Sequence, residues 1–145
     1  MSHYAHIQAR LILLLIGVVS VVAAVPGKDR VRVTFTHDVS INNHVLPPGS
    51  YTIQEMSGRT NDNILAIRGD KGQSFETSVS TLDTVDKQVP DETKVILKRV
   101  NGTYYLDKIW IQGRVRGYQV LLPDQIREAT EDGQPEEVSG TLEAR

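Results

Sequence analysis

Apolar and polar residues alternate with a period of two through much of this chain, and that period predicts strands rather than helices. Val31, Val33 and Phe35 alternate with Arg30, Arg32, Thr34 and Thr36, which marks a strand with one buried face. His37 to Ile41 either continues this strand or starts a second. Asn42 and Asn43 are turn formers that tolerate positive φ. Val45 and Leu46 follow, and Pro47, Pro48 and Gly49 punctuate the run. Ser50 to Met56 alternates again, with Tyr51 and Ile53 on one face. Ser57 to Asn63 is rich in Ser, Gly, Asn and Asp and reads as a loop. Ile64 to Arg68 is a short apolar strand, and Gly69 to Gly72 a tight turn. Gln73 to Thr81 carries Phe75, Thr77 and Val79 at period two, whereas Leu82 to Glu92 has charges, a proline and no period and reads as a loop.

The strongest local signal is Asn101-Gly102. Both positions of a type I′ turn need φ > 0, and this pair supplies them. A two-residue loop then places Leu97 opposite Leu106 and Arg99 opposite Tyr104. Val95, Leu97, Tyr104, Leu106 and Trp110 fall on one face, expected to be core. Lys108 shares that parity and conflicts with it, unless its stem snorkels or a bulge intervenes. Ile96, Val100, Tyr105 and Ile109 populate the other face, so the hairpin should be central and covered on both sides. Gln112 to Gly117 reads as a loop and Tyr118 to Leu122 as a last strand.

One helix is convincing. Pro123 suits a first helical position and Asp124 complements the dipole there. Leu122, Ile126 and Ala129 make an apolar stripe, and Gly133 can stop the helix. Such a short helix must pack on the sheet to persist. Residues 133–145 carry Gly, Pro and Glu without a period and read as a mobile acidic tail. Turn signals recur roughly every 8 to 12 residues. The expected fold is all-β, an antiparallel sandwich or flattened barrel of about 7–8 strands with one short C-terminal helix.

Residues 1–24 read as a secretory signal peptide, with Arg10 as the positive end, an apolar run from Leu11 to Val22, and Val22, Ala23 and Ala24 as a small-residue cleavage site. A membrane-spanning helix needs about 20 apolar residues, and this run is shorter. Cleavage leaves Val25 first, no membrane span, and a single β-rich domain over 25–132. The expected location is therefore outside the cytoplasm, periplasmic or extracellular.

Composition narrows the chemistry. The chain has 145 residues, room for one domain, with 16 basic and 18 acidic side chains. Near-neutral charge argues against a dedicated nucleic-acid binder. The absence of cysteine excludes a disulfide scaffold, a thiolate metal site and a Cys nucleophile. From Asp124 onward there are seven acidic and two basic residues, against eleven and thirteen from Val25 to Pro123. The acidic end could shield a basic patch on the body, or simply solubilise the end of the chain.

The runs LPPGSYTI (Leu46 to Ile53), ILAIRGDKG (Ile64 to Gly72), KVILKRVNGTYYLDKIW (Lys94 to Trp110) and LLPDQIRE (Leu121 to Glu128), in this order, resemble small secreted β-rich proteins common in acidobacterial genomes. The resemblance spans about Val31 to Glu128. Its motifs are structural turns and core aromatics, so it implies a β-rich fold and a place outside the inner membrane of a diderm bacterium, but no activity. Pro48 stands where Ala is more usual, and Asp70-Lys71-Gly72 is shifted against that family's hairpin turn.

Candidate chemistry is thin. His37, Asp38 and His44 offer imidazole and carboxylate groups suited to zinc or copper, at a spacing that matches no standard site. Asp83, Asp86, Asp91 and Glu92 cluster in sequence and could supply paired carboxylates for glycoside hydrolysis. No Gly-x-Ser-x-Gly elbow exists. Arg68-Gly69-Asp70 and Asn101-Gly102-Thr103 are explained by turns. Gly113 to Gly117 is a small basic loop in which Arg114 and Arg116, beside Tyr118, could grip an anionic polymer such as an envelope polysaccharide. The edge formed by Val31, Val33 and Phe35 could add to the sheet of a second copy. The leading expectation is a non-catalytic extracytoplasmic protein acting by contact, a structural or self-assembling subunit. The alternatives are a small-ligand or glycan-binding β module and an uncharacterised hydrolase. No cofactor is implied.

Overall fold

The computed structural model describes residues 28–56, 63–69 and 74–143. The signal-peptide reading, Asp70 and most of the loop from Ser57 lie outside them. The described elements are β1 (Arg30–Phe35), β2 (Val39–Ile41), β3 (His44–Leu46), β4 (Gly49–Glu55), β5 (Ile64–Arg68), β6 (Phe75–Val85), β7 (Lys94–Val100), β8 (Thr103–Trp110), β9 (Arg116–Val120), α1 (Asp124–Arg127) and β10 (Glu136–Leu142).

Eight of these strands close into an antiparallel barrel in the order β8-β7-β10-β1-β4-β5-β6-β9, with β9 returning to β8. The β2–β3 hairpin is attached outside this ring. Strand β2 runs parallel to β8 along Tyr104 and Tyr105, while β9 takes over at Lys108 to Trp110. The fold is all-β as expected, and the barrel form is the one that fits. Inward side chains fill a barrel of this size. Val33, Phe35, Ile53, Ile67, Leu97 and Leu106 are among them, all buried. Burial of each such side chain contributes about 1.5–3 kcal/mol. Polar residues alternate outward, as Arg30, Arg32 and Thr34 do on β1. That is the reverse of the apolar-out pattern of a membrane-spanning barrel. No helix among the described residues is long and apolar enough to cross a membrane.

The Asn101-Gly102 turn forms as expected, with φ of 49° and 79°. Leu97 faces Leu106 and Arg99 faces Tyr104. The register then shifts, and Ile96 pairs with Lys108, so Asp107 is an extra residue on β8. This bulge settles the Lys108 conflict. An ammonium group pointing into an apolar barrel would lose its hydration without compensation. The inserted residue reverses the parity and keeps Lys108 at the outer surface. Two expectations are corrected as a result: Ile109 enters the core, and Trp110 lies half-exposed outside it.

The structure differs from the sequence reading at three further places. Strand β6 runs on to Val85, through part of the expected loop, because its second half pairs with β9. The helix is a single turn, with Ile126 and Ala129 half-buried. Most importantly, the acidic segment 133–145 is no mobile tail over its described part: β10 lies between β7 and β1 and completes the barrel. Its acids meet the body's bases. Glu143 approaches Arg32 at 2.9 Å and Arg30 at 3.9 Å, and Glu137 accepts a hydrogen bond from Lys94 at 2.9 Å. These carboxylates pair with individual basic side chains of β1 and β7.

Candidate functional site

One end of the barrel carries a polar cleft. Its position follows from two loops that brace each other. The Val115 carbonyl accepts from the Asp86 amide at 2.8 Å, and the Pro90 carbonyl accepts from the Gly113 amide at 3.1 Å. Gly113 sits at φ 75°, where a side chain would be strained. The turn that follows aims Arg114 back across the rim toward the start of β1.

There it meets Asp29. Arg114 Nη1 donates to both carboxylate oxygens, at 2.8 and 2.7 Å. Asp29 is 9% exposed. Tyr118, from β9, donates its phenolic hydrogen to Asp29 Oδ2 at 2.7 Å, with Glu55 Oε2 a weaker second acceptor at 3.4 Å. These hydrogen bonds replace the water that burial takes from the carboxylate. Burial, the hydrogen bond to Asp29 and the charges of Asp29 and Glu55 together hold the Tyr118 phenol well above its ordinary pKa of 10.0, against the opposing pull of Arg114. Tyr118 therefore stays a neutral donor throughout the physiological range.

The opposite wall is looser. Asn63 donates to Asp83 Oδ1 at 3.3 Å, and Arg116 lies 3.8 Å from the same carboxylate. Gly117 forms part of the floor. A Cβ there would collide with the Ile109 carbonyl and the Trp110 ring, so glycine is required for β8 and β9 to approach. The enclosed volume is about 230 Å³.

The three residues expected to grip an anion, Arg114, Arg116 and Tyr118, do converge here. Their chemistry differs from that expectation, because Asp29 and Asp83 already stand against the two guanidiniums. With Glu55, three carboxylates face two cations. The cleft therefore offers fixed donors and acceptors in close alternation rather than a positive field.

The remaining sequence candidates are dispersed. His37 stacks on Tyr104, with ring centroids 4.8 Å apart and planes 8° from parallel, and its Nε2 lies 3.7 Å from Glu136. His44 stands on β3 opposite Ile41, and Asp38 is exposed in the turn before β2. Among the described residues no group of three His, Asp or Glu side chains could hold a metal ion. The acids Asp83, Asp86, Asp91 and Glu92 separate: Asp83 joins the cleft, Asp86 accepts from the Gln88 amide, and Glu92 lies near Lys94. Strand β1 pairs with β10 on one side and β4 on the other, and Val31, Val33 and Phe35 are buried, so this strand presents no free edge.

Sequence reasoning passed over Asp29, Glu55 and Asn63. The one available signal was an acid set between Lys28 and Arg30 just before the first strand. No family model, curated protein or solved structure matches this chain.

Proposed function

We propose that this protein is a non-catalytic extracytoplasmic binding module whose rim cleft takes a neutral polyhydroxylated group, such as one ring of a glycan. The observation that carries this reading is the convergence of Asp29, Glu55, Asp83, Arg114, Arg116 and Tyr118 on one cleft with their charges largely paired. A sugar hydroxyl both donates and accepts, so neighbouring hydroxyls fit a wall where carboxylates alternate with guanidinium and amide groups. An anionic ligand would meet Glu55 and lose. The volume of about 230 Å³ lies below the range of drug-sized pockets and suits a single ring. The leader-like residues 1–24 and the resemblance to small secreted β-rich proteins support a place outside the cytoplasm.

The test is a panel of neutral and acidic oligosaccharides screened by calorimetry against the wild-type protein, Glu55→Gln and Arg116→Ala. Binding of a neutral sugar, weakened about tenfold or more by either substitution, supports the reading, since loss of a hydrogen bond to a charged group costs about 1.5–3 kcal/mol. A flat response across the panel, or preference for the acidic sugars, contradicts it.

A second reading, self-association by strand addition, rests on a different edge from the one first expected. Among the described residues strand β3 pairs with β2 alone, and Val45 on it is exposed. A concentration-dependent mass in light scattering that Val45→Pro removes would favour it.

A further inference from the structure

A second recess lies on the barrel's outer surface, between its wall and α1. It forms where β8 exchanges β2 for β9 along one edge, at the Asp107 bulge. Bulges of this kind are over-represented beside functional sites. The exposed wall left at this exchange is patched by Gln119, whose amide donates to the Asp107 carbonyl at 3.1 Å and to its Oδ1 at 2.8 Å. The recess encloses about 450 Å³. That is the size of a small-molecule site rather than of a broad protein interface.

Its apolar lining is wholly aliphatic: Leu82, Val120, Leu121 and Leu122. Leu82 is 54% exposed and Leu121 43%. Around them stand Lys98, Lys108 and Arg127, against Asp107 and Glu131. Asp107 is already held by Gln119 and lies 3.6 Å from Lys108. Arg127 is balanced by Asp124. Lys98 donates only to a neutral group, the Arg127 carbonyl at 3.0 Å, and makes no ion pair among the described residues. An ammonium has three donors, so two remain available.

We infer that this recess binds a monoanionic aliphatic amphiphile, a medium-chain carboxylate whose head meets Lys98 and whose tail covers Leu82, Leu121 and Leu122. No aromatic side chain among the described residues lines the recess, which disfavours a flat ring. Lys98, without an ion-pair partner among the described residues, favours an anionic head, with Glu131 the one lining carboxylate left to oppose it. This inference is independent of the rim cleft.

The test uses amide correlation spectra of the full-length protein titrated with sodium decanoate below its micelle concentration, with decyltrimethylammonium as the probe of equal tail and opposite charge. Saturable shifts of Leu82, Lys98 and Leu121 with decanoate alone are expected. Lys98→Met should weaken binding about tenfold or more, as expected for a lost charge-assisted hydrogen bond. Leu82→Glu, at an exposed position that leaves folding intact, should abolish it. An equal response to both probes, no response to either, or full affinity in Lys98→Met overturns the proposal. So does displacement of decanoate by a short acidic leucine-containing peptide that binds the same residues more tightly.

Discussion

Arg114 holds the Asp29 carboxylate by both oxygens across 85 positions of sequence. The pair ties the loop before β9 to the residue that leads into β1. The rim cleft is built around it, with Tyr118 as the third member.

Asp29 is nine-tenths buried while the Arg114 side chain is half-exposed. The pair's worth should therefore lie between that of surface and buried ion pairs. Asp29→Asn is expected to destabilise the fold by about 1–3 kcal/mol in urea denaturation. A double-mutant cycle with Arg114→Met should return a coupling of about 1 kcal/mol or more, and additive effects would remove the pair from the account.

Tyr118 sets a pH dependence. Its folded-state pKa is raised above the unfolded value of 10.0, by burial first and by Asp29 next. The stability it contributes is fully present below that value and lost as pH rises beyond it. Wild-type stability should fall between pH 10 and 12, more steeply than that of Tyr118→Phe. Phenolate absorbance should show Tyr118 and Tyr51 titrating above the ordinary tyrosine value of 10.0. Tyr51 is raised by burial and by the charges of Glu76 and Asp38, and its hydroxyl donates to the Pro47 carbonyl at 2.7 Å.

Removal of residues 136–145 should open the barrel between β1 and β7. Two strands would lose a hydrogen-bonded neighbour each, and Glu143 would leave Arg30 and Arg32. The truncated protein is expected to lose cooperative thermal unfolding and to aggregate. A truncation that melts like the full chain would mean that the segment is dispensable.

Much of the fold was legible from local pattern. β1 shows its alternation openly, and Asn101-Gly102 specifies its own turn. β10 was not legible because Glu136 to Leu142 offers only Val138 and Leu142 as apolar residues. It is held by ladders on both edges to partners far away in sequence, and such pairing leaves no periodic trace. The parity of β8 misled at Trp110 for a related reason. The bulge is invisible in the pattern except as the misplaced Lys108, which was the clue. In the cleft, Arg114, Arg116 and Tyr118 stood out as neighbours in sequence. Asp29 did not, because its significance comes only from the residue it meets.

Gly117→Ala should cost about 1–3 kcal/mol, since the added methyl has no room beside the Ile109 carbonyl and the Trp110 ring. Gly113→Ala, in open space but at positive φ, should cost about 1 kcal/mol. Only the Gly117 variant should also perturb ligand binding in the cleft.

The most direct measurement is an amide correlation spectrum of the protein titrated with a neutral oligosaccharide, such as chitotriose or maltotriose. Saturable shifts confined to Asp29, Glu55, Asn63, Asp83 and Arg114 to Tyr118 are expected for at least one such sugar. Shifts centred elsewhere on the barrel, or none with neutral sugars alongside clear shifts with acidic ones, would contradict the cleft as a site for neutral polyhydroxylated ligands.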